Sequence, residues 1–379
     1  MTDRSTHGGW RIGVDVGGTF TDLVVAADGV PARVFKVPSV PANPADGVIT
    51  ALKLAAQALG VAPRQLLQDC TLFVHGSTIA TNTVLERKGA RVGLLATAGF
   101  RDSLEIRRGM RENPWLHRQP YPPVLVPRYL RLPVRERLDR DGRELEPLVT
   151  ADVDAAAQVF RDEGVESVAI CLLNSHSNPS HENAAAARLR DVWDGQWISI
   201  SSDISPLIGE YERASTAAMN AYIAPPTVRY LRALDASLKE LGLRRSLFLI
   251  QNNGGAVSID QVAAKPVALL LSGPAAGVGA LSYYGRQLGS DNLISMEIGG
   301  TSCDVILVNA GAVAVNDQFQ IGGSPIAVRA KRLQRGWCDD CQRGADAHRH
   351  PKGRRHGEQA KHLVEQRNQQ YAATDSKQA

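Results

Sequence analysis

Two short stretches about 280 positions apart repeat one pattern: Asp15-Val16-Gly17-Gly18-Thr19-Phe20-Thr21-Asp22 and Glu297-Ile298-Gly299-Gly300-Thr301-Ser302-Cys303-Asp304. Each lies between apolar runs, Ile12 to Val14 and Leu23 to Val25 for the first, Leu293 to Met296 and Val305 to Val308 for the second. Both therefore predict a β-hairpin turned at Gly-Gly-Thr, where glycine admits positive φ and leaves backbone N–H groups uncovered. Successive uncovered N–H groups form a concavity of anion size, suited to phosphate. Acidic residues at either end, with the Thr hydroxyls, offer the oxygen ligands that a hard divalent cation takes. Read singly, either stretch is an ordinary hairpin. The shared acid-x-Gly-Gly-Thr-x-x-Asp pattern, in the same strand–turn–strand setting, is what points to a phosphate gripped from two sides.

The rest of the chain bounds the setting. Its 379 residues leave room for two or three domains and a large core. With 44% hydrophobic but only 5% aromatic residues, it fits an α/β protein better than a nucleic-acid binder that stacks bases. Neither a bilayer-length apolar run nor a secretory leader is read from it, so no membrane partner is expected and a cytoplasmic location is the default. The net charge of +4 is uneven: residues 329–379 hold twelve Lys/Arg against six Asp/Glu, leaving the remainder at −2. Cys70, Cys171 and Cys303 sit singly in or beside apolar runs, as reduced buried thiols do. Cys303, within the second turn, is read as a small filler rather than a nucleophile.

Periodicity predicts alternating elements. After a third strand, Val34 to Pro38, a helix is expected with Asn43 as cap, Pro44 in its first turn, Val48, Leu52, Ala55 and Leu59 on one face, and Gly60 as its end. Strand Thr71 to His75, helix Thr78 to Lys88 and strand Arg91 to Thr97 follow. Arg101 to Pro127 is rich in Arg, Pro and Trp and reads equally as a lid or a surface excursion. Arg128 to Leu138 is expected as one half-exposed strand. Two further helix–strand pairs come next, then a long helical region from Gly209 to Leu241 interrupted at Pro225-Pro226, a strand Ser246 to Gln251, and a helix from Ser272 to about Leu288. Past Arg329 apolar content is too low for an independent fold, so a disordered basic tail is expected. Its Cys338, Cys341, His348 and His350 include zinc-ligand types at a loose spacing that gives little support to a site.

These motifs together resemble the N-terminal portion of the hydantoinase A / ATP-dependent 5-oxoprolinase family, whose relatives include acetone and acetophenone carboxylase subunits. The resemblance covers about residues 11–328. It rests on Ile12 to Asp22, His75-Gly-Ser-Thr-Ile-Ala-Thr-Asn82, Leu85-Glu-Arg-Lys-Gly-Ala90, Gly99-Phe-Arg-Asp102, Glu210-Tyr-Glu-Arg213, Gln251-Asn-Asn-Gly-Gly255, Leu271-Ser-Gly-Pro-Ala-Ala-Gly277 and Ile298 to Asp304.

The resemblance implies an α/β, actin-like, duplicated nucleotide-binding fold of the sugar kinase and chaperone type. Residues 10–200 would hold the first phosphate turn, residues 201–328 the second, and residues 329–379 an aberrant tail. It implies ATP and Mg²⁺, with Gly17, Gly18, Thr19, Thr21, Gly273, Gly299, Gly300 and Thr301 on the nucleotide, and Asp15, Asp22, Glu297 and Asp304 on metal or its water. Gly76, Ser77, Thr78 and Asn82 would meet substrate, and Asp15, His75 and Glu297 would act in catalysis, although a histidine ending a strand is more often a hydrogen-bonded structural residue. The implied activity is ATP-driven opening of a cyclic amide, in an oligomer or with a hydantoinase B-type subunit. The alternatives are a ketone carboxylase subunit and an inactive nucleotide-binding fragment. Two departures stand out. Glu297 occupies a place where the family has Asp, and the family's further glycine-rich segment beyond the equivalent of Val328 is missing, so a truncated chain is expected.

Overall fold

The computed structural model describes residues 9–40, 43–109, 115, 118, 123–298, 303–313, 315–328, 330–331 and 333–334. The chain opens with three strands, β1 (Trp10–Val16), β2 (Phe20–Ala27) and β3 (Val30–Pro38). Strict alternation turns Ile12, Val14, Val16, Thr21, Leu23 and Val25 inward, the period-2 signature of a half-buried sheet. α1 (Pro44–Leu59) buries Val48, Leu52 and Ala55 and stops at Gly60, which has φ 69°. Asn43 does not cap it as expected: its amide donates to the Asp46 carboxylate at 3.0 Å. α2 (Pro63–Gln68) leads to β4 (Cys70–Ser77), which pairs in parallel with β1, and then to α3 (Ile79–Leu85).

The chain next builds a second sheet from β5 (Val92–Thr97), β6 (Arg131–Val134), β9 (Ser167–Cys171) and β10 (Trp197–Ile200), all parallel, in the order β10-β9-β5-β6. Between them lie α4 (Ser103–Ile106), the β7–β8 ribbon (Arg137–Leu138 with Glu144–Glu146), α5 (Thr150–Asp162) and α6 (Ser180–Val192), with α7 (Ser201–Ile204) after β10. β5 and β9 are buried at every position, as apolar strands covered on both faces are. The single strand expected over Arg128 to Leu138 is broken. A 3₁₀ turn at 128–130 precedes β6, and Pro133 confines β6 to the sheet edge, since proline has no N–H to give a second neighbour.

α8 (Glu210–Glu240) corrects a second expectation, because its 31 residues run unbroken through Pro225 and Pro226. Pro226 cannot donate to the carbonyl four residues earlier, that of Tyr222, and a helix interior proline is costly for that reason. Here the Tyr222 carbonyl accepts from the backbone N–H of Ala90 at 2.9 Å instead. Met219 to Pro225 are all buried, so packing around the helix outweighs the local preference for a break. β11 (Leu247–Ile250) and β12 (Ala256–Ser258) then complete the first sheet, in the order β12-β11-β4-β1-β2-β3, with β11 parallel to β4. α9 (Ile259–Ala264) and α10 (Ser272–Leu288) follow.

The chain forms two compact units, residues 1–279 with 314–331, and residues 280–313 with 332–379. The larger holds both sheets. The smaller holds the hairpin β13 (Leu293–Ile298) and β14 (Cys303–Asn309), with Leu333–Gln334 paired to β14. Cys70 and Cys171 are buried free thiols, each pushed up to about 11 first by burial, which fits inert reduced cysteines. Cys338, Cys341, His348 and His350 lie outside the described residues. No described helix is long and apolar enough to cross a membrane.

Candidate functional site

The first sheet gathers the sequence motifs because β1, β4 and β11 are parallel neighbours. Their carboxyl ends carry Asp15 to Gly17, His75 to Thr78 and Gln251 to Gly255 side by side. In open α/β sheets this is the edge outside which ligands bind.

At the β1–β2 turn the Gly17 N–H bonds the Phe20 carbonyl at 3.0 Å, leaving Gly18 and Thr19 exposed at its tip. A brace sets the turn from behind. Ser39 Oγ donates to the Gly17 carbonyl at 2.7 Å, lies 3.1 Å from Thr21 Oγ1, and its N–H bonds the Thr19 carbonyl at 2.9 Å. Thr21 is fully buried, so its hydroxyl serves this brace and does not reach the turn's open side.

The β4–α3 connection closes on the same turn. Thr78 donates through Oγ1 and N–H to the Val16 carbonyl, at 2.9 and 3.3 Å. Asn82 Nδ2 donates to Thr78 Oγ1 at 3.2 Å, and a Cβ on Gly18 would stand 3.9 Å from that amide. The start of α10 joins them, with Leu271 N–H donating to Thr81 Oγ1 and Ser272 Oγ to the Ser77 carbonyl, both at 3.1 Å. Leu271 has φ +64°, a left-handed backbone rare for a branched residue, and Gly273 sits in the first turn with no atom within 4 Å of where a Cβ would stand. Gly17, Gly18, Thr19, Gly76, Ser77, Thr78, Asn82 and Gly273 are thus brought into one locale of the larger unit.

Asp15 and Asp22 face each other across the hairpin. Asp22 is held by Lys36 Nζ at 2.6 and 2.8 Å. Among the described residues no cation pairs with Asp15 in this way. Its side chain is accessible to solvent, yet surrounding protein desolvates it and raises its pKa, with repulsion from Asp22 adding and Lys36 opposing. Its Oδ1 overlies Gly76, where an added Cβ would come within 3.2 Å.

His75 lies deeper. It is 1% exposed, its Nε2 is 3.1 Å from the Tyr230 hydroxyl on α8, and burial lowers its pKa to about 4. It is therefore a neutral ring at physiological pH, and burial likewise holds the Tyr230 phenol above its ordinary range.

The second hairpin repeats the first in register. Glu297 faces Asp304 and Ile298 faces Cys303, as Asp15 faces Asp22 and Val16 faces Thr21. Its tip, Gly299, Gly300 and Thr301 included, lies outside the described residues.

Sequence reasoning did not assign a role to Ser39, Lys36 or Tyr230. Lys36 lies in the third strand and Ser39 just after it; the register of that strand alone brings them to the turn, and no local motif marks them.

Residues 11–193 match the family described as Hydantoinase/oxoprolinase N-terminal region, and residues 213–334 the one described as Hydantoinase/oxoprolinase. The chain belongs to the hydantoinase/oxoprolinase family. This family member is 38% identical over 304 residues to the caprolactamase subunit alpha of Pseudomonas jessenii, covering 80% of this chain and 44% of that one. It is 32% identical over 317 residues to the acetophenone carboxylase gamma subunit of Aromatoleum aromaticum, covering 80% of this chain and 43% of the relative. Among solved structures, it superposes on the ATP-dependent caprolactamase of Pseudomonas jessenii with a TM-score of 0.80 and 36% identity, over 86% of this chain and 47% of that one. The chain thus spans less than half the length of these relatives.

Proposed function

We propose that this chain carries the ATP-handling part of an ATP-dependent cyclic-amide hydrolase of the hydantoinase A / 5-oxoprolinase type. The observation that supports it most is the convergence, at three parallel strand ends, of an exposed Gly18-Thr19 tip, a hydroxyl-rich β4–α3 turn and the start of α10. The similarity to a caprolactamase described as ATP-dependent supports the same reading.

In this reading the two hairpins are the paired phosphate turns of an actin-like fold, the first built from Gly17, Gly18 and Thr19 and the second from Gly299, Gly300 and Thr301. Backbone N–H groups at the first tip orient the phosphates, and the strand ends supply a fixed floor. The residues present fit a nucleotide-borne Mg²⁺. Asp15 offers an accessible carboxylate with no cation partner among the described residues, and Mg²⁺ is ordinarily held by one or two carboxylates together with phosphates. Asp22 is engaged with Lys36, so its contribution is to the field at Asp15 rather than to a ligand shell. ATP supplies the phosphoryl group that turns an unreactive amide carbonyl into a better electrophile.

A second reading, a ketone carboxylase subunit, draws on the similarity to the acetophenone carboxylase subunit. The test has two stages. Calorimetry with ATP and Mg²⁺ is expected to give one site, lost in Asp15→Ala with the circular dichroism spectrum unchanged; equal affinity in the variant contradicts the site. ATPase assays with caprolactam or 5-oxoproline, set against acetophenone with bicarbonate, then separate the two chemistries.

A further inference from the structure

The first three strands set three charges in one row. Register places Asp15 opposite Asp22 and Asp22 opposite Lys36. Opposite residues on paired strands project to the same face, so all three groups stand on the side where Asp15 is accessible. From this row Lys36 leans toward the β1–β2 turn. Its Nζ bonds both Asp22 carboxylate oxygens, at 2.6 and 2.8 Å, and lies 4.9 Å from the centroid of the Phe20 ring. Phe20 is two positions nearer the turn than Asp22, and it directly follows the exposed Gly18-Thr19 tip. The ammonium therefore sits between the row and the tip.

A lysine ammonium has three donors. Asp22 takes two, and no acceptor for the third is found among the described residues. The Lys36 side chain is 54% exposed, so a ligand on the tip can reach it. A lysine stem is ordinarily mobile; here a carboxylate and a ring hold its charge in place. The pair is too exposed to matter much to the fold, since exposed ion pairs add little to stability. A fixed cation has a use at this spot. Asp15 and Asp22 put two negative charges beside a turn suited to phosphate, and their repulsion of a polyphosphate needs an offset. The Lys36 charge is felt at Asp15 as well, where it opposes the rise in pKa that burial and Asp22 cause.

We infer that Lys36 is a phosphate-binding residue: anchored by Asp22, its ammonium meets the oxygens of a polyphosphate seated on the Gly18-Thr19 tip. The inference rests on the nucleotide reading above and adds a cation to it.

The test titrates the 379-residue chain with ATP and Mg²⁺ and, separately, with inorganic tripolyphosphate without metal. The second titration reads the phosphate contact apart from adenine and Mg²⁺. Lys36→Gln is expected to weaken both by about tenfold or more, because a charge-assisted contact is lost, with circular dichroism and melting temperature unchanged. Lys36→Arg keeps the charge and retains most of the affinity. Asp22→Asn separates a ligand from a strut. It removes a negative charge and keeps the ammonium, so tripolyphosphate affinity is expected to hold or rise. A loss as large as that in Lys36→Gln would mean that Lys36 only supports Asp22, and would overturn the inference. Unchanged tripolyphosphate affinity in Lys36→Gln overturns it too, while ATP binding by the unsubstituted chain leaves the nucleotide reading standing. Failure of that chain to bind ATP contradicts the nucleotide reading, and failure to bind tripolyphosphate as well contradicts the inference.

Discussion

At the residue scale, Asp15 and His75 show two fates for an ionisable group at a strand end. Asp15 points to the open face and keeps solvent access, although surrounding protein desolvates it and raises its pKa. Gly76 is the neighbour that permits this. A methyl there would meet Asp15 Oδ1 at 3.2 Å, close enough to force a shift, and the two further methyls of valine would crowd the carboxylate more. Gly76→Val is expected to reduce ATP affinity by about tenfold or more, on the order of 1.4 kcal/mol, with stability changed less; titration calorimetry reads it. His75 points inward and is neutral, its pKa lowered to about 4. For a base whose folded pKa is depressed, the unfolded state binds the extra proton, so stability falls as pH drops from about 6.5 toward 4. The loss expected from His75 is on the order of 3 kcal/mol. In His75→Gln the slope of urea-denaturation stability over this window is expected to flatten.

At the element scale, the interior depends on two glycines where rings pass close. A Cβ on Gly93 in β5 would come within 2.4 Å of the Phe160 ring of α5, and one on Gly89 within 2.3 Å of the Tyr222 ring of α8. Gly93→Ala is expected to cost about 1–3 kcal/mol through overpacking, seen as a lowered urea midpoint with an unchanged slope. α8 is one of the elements that sequence alone misread. Two consecutive prolines predicted a break, and the helix continues because Ala90, more than a hundred positions away, satisfies the Tyr222 carbonyl. By contrast α10 spans Ser272–Leu288 as its apolar pattern indicates, and α1 ends at Gly60 where a left-handed residue was expected. Local chemistry is legible where capping and periodicity act within a few residues; it fails where a distant partner repairs a local defect.

At the scale of the whole molecule, buried charge is concentrated at the carboxyl ends of the second sheet. Glu136, 1% exposed, bonds the Thr97 hydroxyl and His181 Nδ1, the latter at 2.7 Å, while His181 Nε2 meets Glu144 on β8 at 2.9 Å. Glu182 accepts from Ser201 Oγ and from the N–H groups of Leu172 and Ser202, and Arg213 donates to the Leu172 carbonyl at 2.6 Å. Burial acts to lower the His181 pKa, but hydrogen bonds to Glu136 and Glu144 outweigh it and the pKa is raised. Its contribution is therefore complete below about pH 6.5 and is lost as pH rises through the folded value, opposite in sign to that of His75. His181→Gln is expected to lower stability more at pH 6 than at pH 8.5, measured by urea denaturation at both.

The amino-acid sequence by itself determined the two hairpins, the acid-flanked turn of the first and the alternating α/β order, because each follows from residues within one or two turns of chain. It also carried the family resemblance, since that rests on contiguous motifs. Tertiary structure decided which side chains at those motifs remain available. Asp22 is taken by Lys36 and Thr21 by Ser39, while Asp15 keeps its carboxylate accessible over Gly76, and His75 is sealed against Tyr230. Parallel pairing of β1, β4 and β11 brings together turns separated by up to about 240 positions. Which groups meet across such distances depends on strand register and burial, and neither is encoded in any single stretch of sequence.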